Sequence, residues 1–414
     1  MAVHLWLRSE PKMSEHRTAL TPAKCKELVS AGFQITVENS KDRIFKDEEY
    51  ARINGVSMAP EGSWVHAPKD TFILGIKELA ESDSSIPQTH IYFAHAYKNQ
   101  AGWVDLLNRF IKGGGKILDV EYMTDDSNRR LVATFPHLAG FSGMAVGLKA
   151  WCLQQLRHVS TYSCFLSPPP HSSMPSLEPY DNEKVLVNDV KMMLQNVSKA
   201  KGLPDCHPRI VVIGALGRCG KGALDMAYKV GIPSTHIAKW DINETKAGGP
   251  FEGILQYDIF VNNIKLTKLQ LILRRVYVHV LDQKIALQKI PPFLTRKVLD
   301  TDQRNLSVVV DVSCDVSNPN NPLPFLDSIT TFQNPSRRLQ LRNCTKPLDL
   351  VAIDNLPSLL PRESTVLFAD SITPYLLKLP EVVDSYPVWV RAKEKFEEKV
   401  AEVLKRNVKK QVDL

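Results

Sequence analysis

A short apolar stretch, Arg209-Ile-Val-Val-Ile213, runs directly into Gly214-Ala-Leu-Gly217-Arg-Cys-Gly220-Lys-Gly222, and a helical stretch from Ala223 to Val230 follows. Strand, glycine turn and helix in that order constrain the fold more than any other feature. Glycines at such a junction let the chain reverse tightly and let its backbone approach a pyrophosphate. The charge of that group is then met by helix amides and the positive end of the helix dipole. The spacing is GxxGxxG rather than GxGxxG, so the triplet alone also fits a packing turn. Its place between strand and helix favours a dinucleotide site. Asp241 ends the next apolar run, Ile237-Ala-Lys-Trp-Asp241, where an acid can accept hydrogen bonds from the adenosine ribose. Its charge would repel a 2′-phosphate, so NAD is expected over NADP. Outside that context Asp241 reads as a surface turn residue and Arg218 as a solvated cation, although the turn suits Arg218 to a phosphate oxygen.

The first 150 residues alternate apolar runs with amphipathic stretches. Val3 to Leu7, Gln34 to Val37, Thr71 to Ile76, His90 to Ala94 and Lys116 to Val120 are expected as strands, which indicates an α/β sheet. Thr21-Pro22 starts a helix through Leu28, with Thr as cap and Pro where no hydrogen bond is lost. Residues 164 to 180 are rich in Pro and Ser and read as an exposed loop or linker. Asn182 to Ala200 places Val185, Leu186, Val190, Met193, Leu194 and Val197 at helical spacing. Further strands are expected at Ile237 to Trp240, Ile259 to Asn262 and Ser307 to Val312, so a second α/β domain occupies about 200 to 350. From Pro387 to Leu404 an amphipathic helix carries Trp389, Ala392, Phe396, Val400 and Val403 as a stripe.

A chain of 414 residues, 43% hydrophobic and 23% charged, has the make-up of a globular protein with a sizeable core, and two domains are the default. The net charge of +7 sits partly in short solvated runs such as Lys405-Arg406, with no basic stripe interleaved with aromatics, so nucleic acid is not expected as a partner. Seven cysteines, scattered and without a CxxC pair, argue against a disulfide framework or a metal site. No run approaches the roughly 20 apolar residues of a membrane helix. The expectation is a cytoplasmic protein without membrane contact; the ending QVDL gives no clear peroxisomal address, although a peroxisome is compatible with the sequence.

In an open α/β sheet, ligands bind beyond the carboxyl ends of the strands, so the polar residues just after each strand are the candidates. In the first domain these are Arg8, Lys12, Glu15 and Arg17, then Lys77 and Glu78, then His95, Lys98 and Gln100, then Glu121, Arg129 and Arg130. Cations in this number suit a substrate with several carboxylates, because a guanidinium matches a planar carboxylate. Burial at the end of FILGIK can lower the Lys77 amine toward neutrality, while Glu78 opposes that shift. Taken singly, His95 reads as a structural histidine and Lys77 as a snorkelling cation. Their joint placement at adjacent strand ends makes them a proton-transfer pair.

SEHRTALTP (Ser14 to Pro22), ILGIKEL (Ile73 to Leu79), YFAHAYKNQAGW (Tyr92 to Trp103), GALGRCG (Gly214 to Gly220), KWDINET (Lys239 to Thr245), VVDVSCD (Val309 to Asp315) and IDNLPSLLPRES (Ile353 to Ser364) carry a resemblance. Together, and over most of the chain, they resemble the fungal lysine-forming saccharopine dehydrogenases, within the alanine dehydrogenase/transhydrogenase-like superfamily. The resemblance implies an α/β fold of two Rossmann-like domains with mainly parallel sheets flanking a cleft. It places a substrate-binding domain at 1–140 plus 352–414 and an NAD-binding domain at 141–351. It implies Lys77 and His95 as the acid–base pair and Arg17, Gln100, Arg130, Phe135, Ser313 and Asp315 at the substrate. Gly214, Gly217, Arg218, Asp241, Thr245, Val312, Ile353, Asp354, Asn355 and Leu356 then lie at the cofactor, with Arg129 near the nicotinamide half.

The implied activity is NAD-dependent oxidative deamination of saccharopine to L-lysine and 2-oxoglutarate, the last step of lysine biosynthesis by the alpha-aminoadipate pathway, by a monomer needing no metal. Residues 265–290 depart from the family pattern, which joins the flanking positions by a short loop. The departing stretch includes the β-prone run Val276 to Val280, and Lys265 stands where the family has an aromatic neighbour of the cofactor. An alanine-dehydrogenase-like oxidoreductase shares the ALTP start and the glycine turn, but NLPSLLPRE and FAHAYK argue against it. An NAD-binding pseudoenzyme is the alternative from another class.

Overall fold

The computed structural model describes residues 2–12, 15–132, 135–157, 173–264, 291–316, 318, 320–379 and 385–412. The chain forms two compact units. One comprises Met1–Thr134 and Pro361–Leu414, the other Phe135–Leu360.

The first unit begins with β1 (His4–Leu7), α1 (Pro22–Ser30), β2 (Gln34–Glu38), α2 (Asp47–Ala51), β3 (Val56–Ala59), β4 (Phe72–Leu74), β5 (Thr89–Tyr92), α3 (Trp103–Gly113) and β6 (Lys116–Asp119). Thr21 caps α1 by accepting the Lys24 amide at 3.2 Å, with Pro22 in the first turn, as its sequence predicts. The strands form one parallel sheet in the order β3-β2-β1-β4-β5-β6. Five of the six are the apolar runs; β3 was not among them, being a short edge strand whose residues are mostly part-exposed. Leu5, Leu7, Ile35, Val37, Ile73, Leu74, Ile91, Ile117 and Leu118 are buried, as a sheet covered on both faces requires.

The second unit runs α4 (Pro136–Arg157), α5 (Glu183–Lys201), β7 (Ile210–Ile213), α6 (Arg218–Lys229), β8 (Ile237–Trp240), α7 (Ile242–Thr245), β9 (Ile259–Asn262), α8 (Arg296–Leu299), β10 (Val308–Asp311), β11 (Arg337–Arg338) and β12 (Asp349–Val351). Its sheet has the order β11-β12-β10-β9-β7-β8, parallel except for β11. Helix α4 leaves no amphipathic stripe to read, because sixteen of its residues are buried. Its small residues let it lie directly on α6 and the sheet. A Cβ on Gly140 would sit 1.9 Å from the Cys219 carbonyl oxygen, and one on Gly222 would sit 1.9 Å from that of His137.

The expected exposed linker differs from what is found. Residues 164–172 lie outside the described residues, but Met174 and Leu177 are buried in the core of the second unit. There the Leu177 amide donates to the Phe332 carbonyl at 2.7 Å, and the Tyr180 amide to that of Leu359 at 2.9 Å. Apolar side chains spaced among the prolines, together with these borrowed backbone partners, replace the missing regular structure. The atypical segment 265–290, with Lys265 and Val276 to Val280, lies outside the described residues.

Two helices return to the first unit, α9 (Pro361–Leu376) and α10 (Pro387–Val412). The stripe of α10 buries Trp389, Ala392, Phe396 and Val403, and the helix packs on β6 and α3.

Candidate functional site

In the first sheet, chain order reverses between β1 and β4, the point at which open α/β sheets bind ligands beyond their carboxyl ends. The segments leaving β1, β4, β5 and β6 there carry the predicted polar residues. The Phe93 amide donates to the Ile76 carbonyl at 3.1 Å, which holds the exit of β5 against that of β4. Glu78 then ties the two exits together, with its Oε1 2.6 Å from His95 Nδ1. Burial would raise the Glu78 carboxyl, but the His95 hydrogen bond, its own backbone amide and the charges of His95 and Lys77 outweigh that and bring it down to about 2. His95 has φ +50°, a left-handed conformation unusual outside glycine, so the turn aims its ring at a conformational cost.

The Lys77 amine is lowered from its ordinary range, first by burial and then by the charge of Arg17, with Glu78 and Glu15 opposing. Arg17 is itself buried and held by Glu15, its Nε and Nη2 donating at 2.7 and 2.6 Å. Farther along the sheet, Lys98 donates to Glu121 Oε1 at 2.6 Å and Arg130 pairs with the same carboxylate, while Gln100 Oε1 accepts the Lys98 amide at 2.8 Å. Arg129 is largely exposed and donates to Asp125 at 2.8 Å.

Arg8 differs from the expectation of a polar group facing the ligand. It is fully buried, pairs with Glu10 at 3.3 Å and donates to the Lys77 carbonyl. Glu10, which its sequence does not single out, accepts the Ile76 and Lys77 amides at 2.7 and 2.9 Å. The Arg8–Glu10 pair therefore fixes the backbone beneath the lysine. Only the three-dimensional packing reveals it, since an Arg-Ser-Glu string after a strand is ordinary surface sequence.

In the second unit the sheet order reverses at β7, and the glycine turn leaves that strand. Gly214 has φ +80°, and a Cβ on Gly220 would sit 2.1 Å from the Gly214 carbonyl oxygen, so both positions exclude side chains. Gly217 caps α6 without a side-chain hydrogen bond, and the start of a helix after such a turn suits an anion. Asp241 ends β8 beside the turn, where its Oδ2 accepts the Leu216 amide at 3.0 Å. Residues of this kind fit a dinucleotide. Arg218 opens α6 itself.

The other predicted cofactor positions divide by burial. Thr245 is buried and its hydroxyl donates to the Asp241 carbonyl at 2.7 Å, so it braces Asp241. Ile353 and Leu356 have side chains in the core, Val312 packs against it, Asp354 is exposed, and Asn355 donates to Ser358 at 2.6 Å. Ser313 donates to the buried Asp311 at 2.7 Å, which also accepts Asn262 at 2.9 Å; Asp315 accepts Asn318 at 2.6 Å. The sequence does not single out Asp311 and Asn262, because each closes an otherwise apolar strand and only the pairing of β9 with β10 brings them together. Phe135 lies at the entry to α4 and belongs to the second unit. Among the described residues no cluster of His, Cys, Asp or Glu could hold a metal ion, and no helix is long and apolar enough to cross a membrane.

A cluster of charged residues at the switch point of one parallel sheet and a glycine turn at that of another define a two-unit α/β protein of the dinucleotide-fold class. The models for the N-terminal and C-terminal domains of alanine dehydrogenase/PNT match residues 6–142 and 183–402. A saccharopine dehydrogenase [NAD(+), L-lysine-forming] of Schizosaccharomyces pombe is 47% identical over 96% of this chain and 98% of its own. One of Emericella nidulans is 45% identical over 96% and 97%. The solved structure of an L-alanine dehydrogenase superposes with a TM-score of 0.58 at 14% identity, covering 98% of this chain and 99% of its own. The chain belongs to the family of the NAD(+), L-lysine-forming saccharopine dehydrogenases.

Proposed function

We propose that the protein catalyses the NAD-dependent oxidative deamination of saccharopine to L-lysine and 2-oxoglutarate. The observation that carries this reading is the Glu78–His95 pair directly following Lys77, whose amine is lowered by burial and the charge of Arg17, in a chain of this family. Saccharopine bears three carboxylates, and Arg17, Arg130 and Lys98 offer cations of matching number. Arg17 and Arg130, steadied by Glu15 and Glu121, have the fork geometry for a carboxylate. Gln100, Phe135, Ser313 and Asp315 complete the proposed substrate contacts.

NAD, when bound at Gly214, Gly217, Arg218 and Asp241, supplies the hydride acceptor. The protein's own groups move protons. The secondary amine must lose one as hydride leaves its carbon, the water that attacks the resulting imine must lose one, and the departing lysine nitrogen must gain one. A lysine whose amine is already pulled toward neutrality by burial and Arg17 can accept a proton, and an imidazole tied to Glu78 can pass one on. Saccharopine, water and NAD+ thus give lysine, 2-oxoglutarate, NADH and a proton.

Asp241 beside the turn favours NAD over NADP by charge. A monomer in the cytoplasm completes the proposal, the compartment in keeping with the scattered cysteines. The test is the reverse reaction, in which purified protein consumes NADH in the presence of L-lysine and 2-oxoglutarate. Turnover with pyruvate and ammonia instead would favour an alanine-dehydrogenase-like activity, and tight NADH binding without turnover would overturn the enzyme reading.

A further inference from the structure

Asp119 is the last residue of β6 and lies opposite Tyr92, the last of β5. Its side chain is fully buried. Oδ1 caps the short 3-10 turn Val120–Tyr122 by accepting the Glu121 amide at 2.8 Å. Oδ2 has no hydrogen-bond partner among the described residues. A buried carboxylate oxygen left unpaired is costly, so the group is kept for something other than stability alone. The amide it engages belongs to Glu121, a member of the proposed site.

We infer that Asp119 is a positioning residue of that site, a buried clamp on the Glu121 amide that fixes the turn presenting Glu121. The inference rests on the proposed reaction for its effect on turnover, but its structural half is independent of it. Glu121 needs such a clamp because that carboxylate anchors Lys98 and Arg130.

Burial pushes the Asp119 carboxyl up to about 7, with the Glu121 charge adding to the rise and the Glu121 amide and His95 opposing it. Facing it are Tyr92, Tyr97 and His95 from β5 and its turn and Glu121 and Tyr122 from the turn after β6, while Lys395 of α10 lies over the Tyr122 ring. The clamp is thus strongest when the carboxyl is ionised and weakens as it takes up a proton near neutral pH.

The experiment compares Asp119→Asn and Asp119→Ala with the wild type by amide hydrogen exchange and by NADH oxidation with L-lysine and 2-oxoglutarate. The Ala variant should exchange faster in the segment containing Val120–Met123 and lose on the order of 10- to 100-fold in kcat, with NADH affinity unchanged. The Asn variant, which keeps an acceptor oxygen, should restore protection and most of kcat, and its turnover should follow one fewer ionisation on the acid side. If Ala does not fold, the Asn pH profile still decides. Unchanged exchange and kcat in Ala, or an Asn variant with the wild-type pH profile, would overturn the inference. Altered exchange in a protein whose wild type shows no turnover would retain the clamp and reject the proposed reaction instead.

Discussion

Replacing Lys77 by Met removes the amine while keeping a flexible apolar stem of similar length, so loss of the proton carrier is separated from loss of packing. The Arg8–Glu10 pair that fixes the Lys77 backbone does not touch its side chain, and Glu78, His95 and Arg17 keep their own partners. Substrate binding and the remaining electrostatics should therefore survive. A positioned general base or acid contributes about 100- to 10,000-fold, which is about 2.7–5.4 kcal/mol in the barrier, and kcat should fall by that factor. NADH affinity should not change. Stability should move the other way. The lowered amine means that the folded chain binds its proton less well than the unfolded chain, so the wild type carries a penalty at neutral pH that fades only as pH rises toward 10.5. The Met variant lacks that penalty, and its urea midpoint at neutral pH should equal or exceed that of the wild type. Stopped-flow turnover, NADH fluorescence titration and urea unfolding measure the three quantities. A kcat loss under 10-fold, or an equal loss in NADH affinity, would refute the assignment.

Three further outcomes follow from the same geometry. Asp241→Ala removes both the charge beside the glycine turn and the acceptor for the Leu216 amide, so NADH should bind about 1.5–3 kcal/mol more weakly while NADPH gains relative to it; a fixed ratio of the two dissociation constants argues against the ribose role. Gly222→Ala would push a methyl to 1.9 Å from the His137 carbonyl and should destabilise the chain by about 1–3 kcal/mol or more in denaturant unfolding, and no change would mean that α4 and α6 do not pack as described. Glu78→Gln removes a carboxyl held down at about 2, whose contribution is full above about 4.5 and fades as pH falls toward 2; the stability gap from wild type should be widest above pH 5 and close in acid, and a pH-independent gap would contradict the His95 pairing.

Local pattern made most of the strands legible. The runs at Gln34, Lys116, Ile237 and Ile259 begin at the first residue of the strands formed, since β-branched and apolar residues bounded by polar or glycine positions have few other uses. The Thr21 cap and the glycine turn could be read for the same reason, as their geometry is fixed by neighbours in the chain. The edge strands β3 and β11 could not, because little of either is buried, and nor could the helix α4, which is buried on nearly all sides and has no polar face.

What the sequence by itself determined is the set of groups that leave the strand ends: Lys77, Glu78, His95, Glu121, the glycine turn and Asp241. Alternating strands and helices force those groups toward the carboxyl edges of parallel sheets. What only the tertiary structure decided is which charged residues are buried supports. Arg8, Glu10, Asp119 and Asp311 look like surface or strand-end residues in the linear chain, yet each holds a backbone or side-chain partner from another strand or turn. Their roles depend on burial and on contacts between distant segments. Those are set by the register of whole strands, and no local sequence window contains that register.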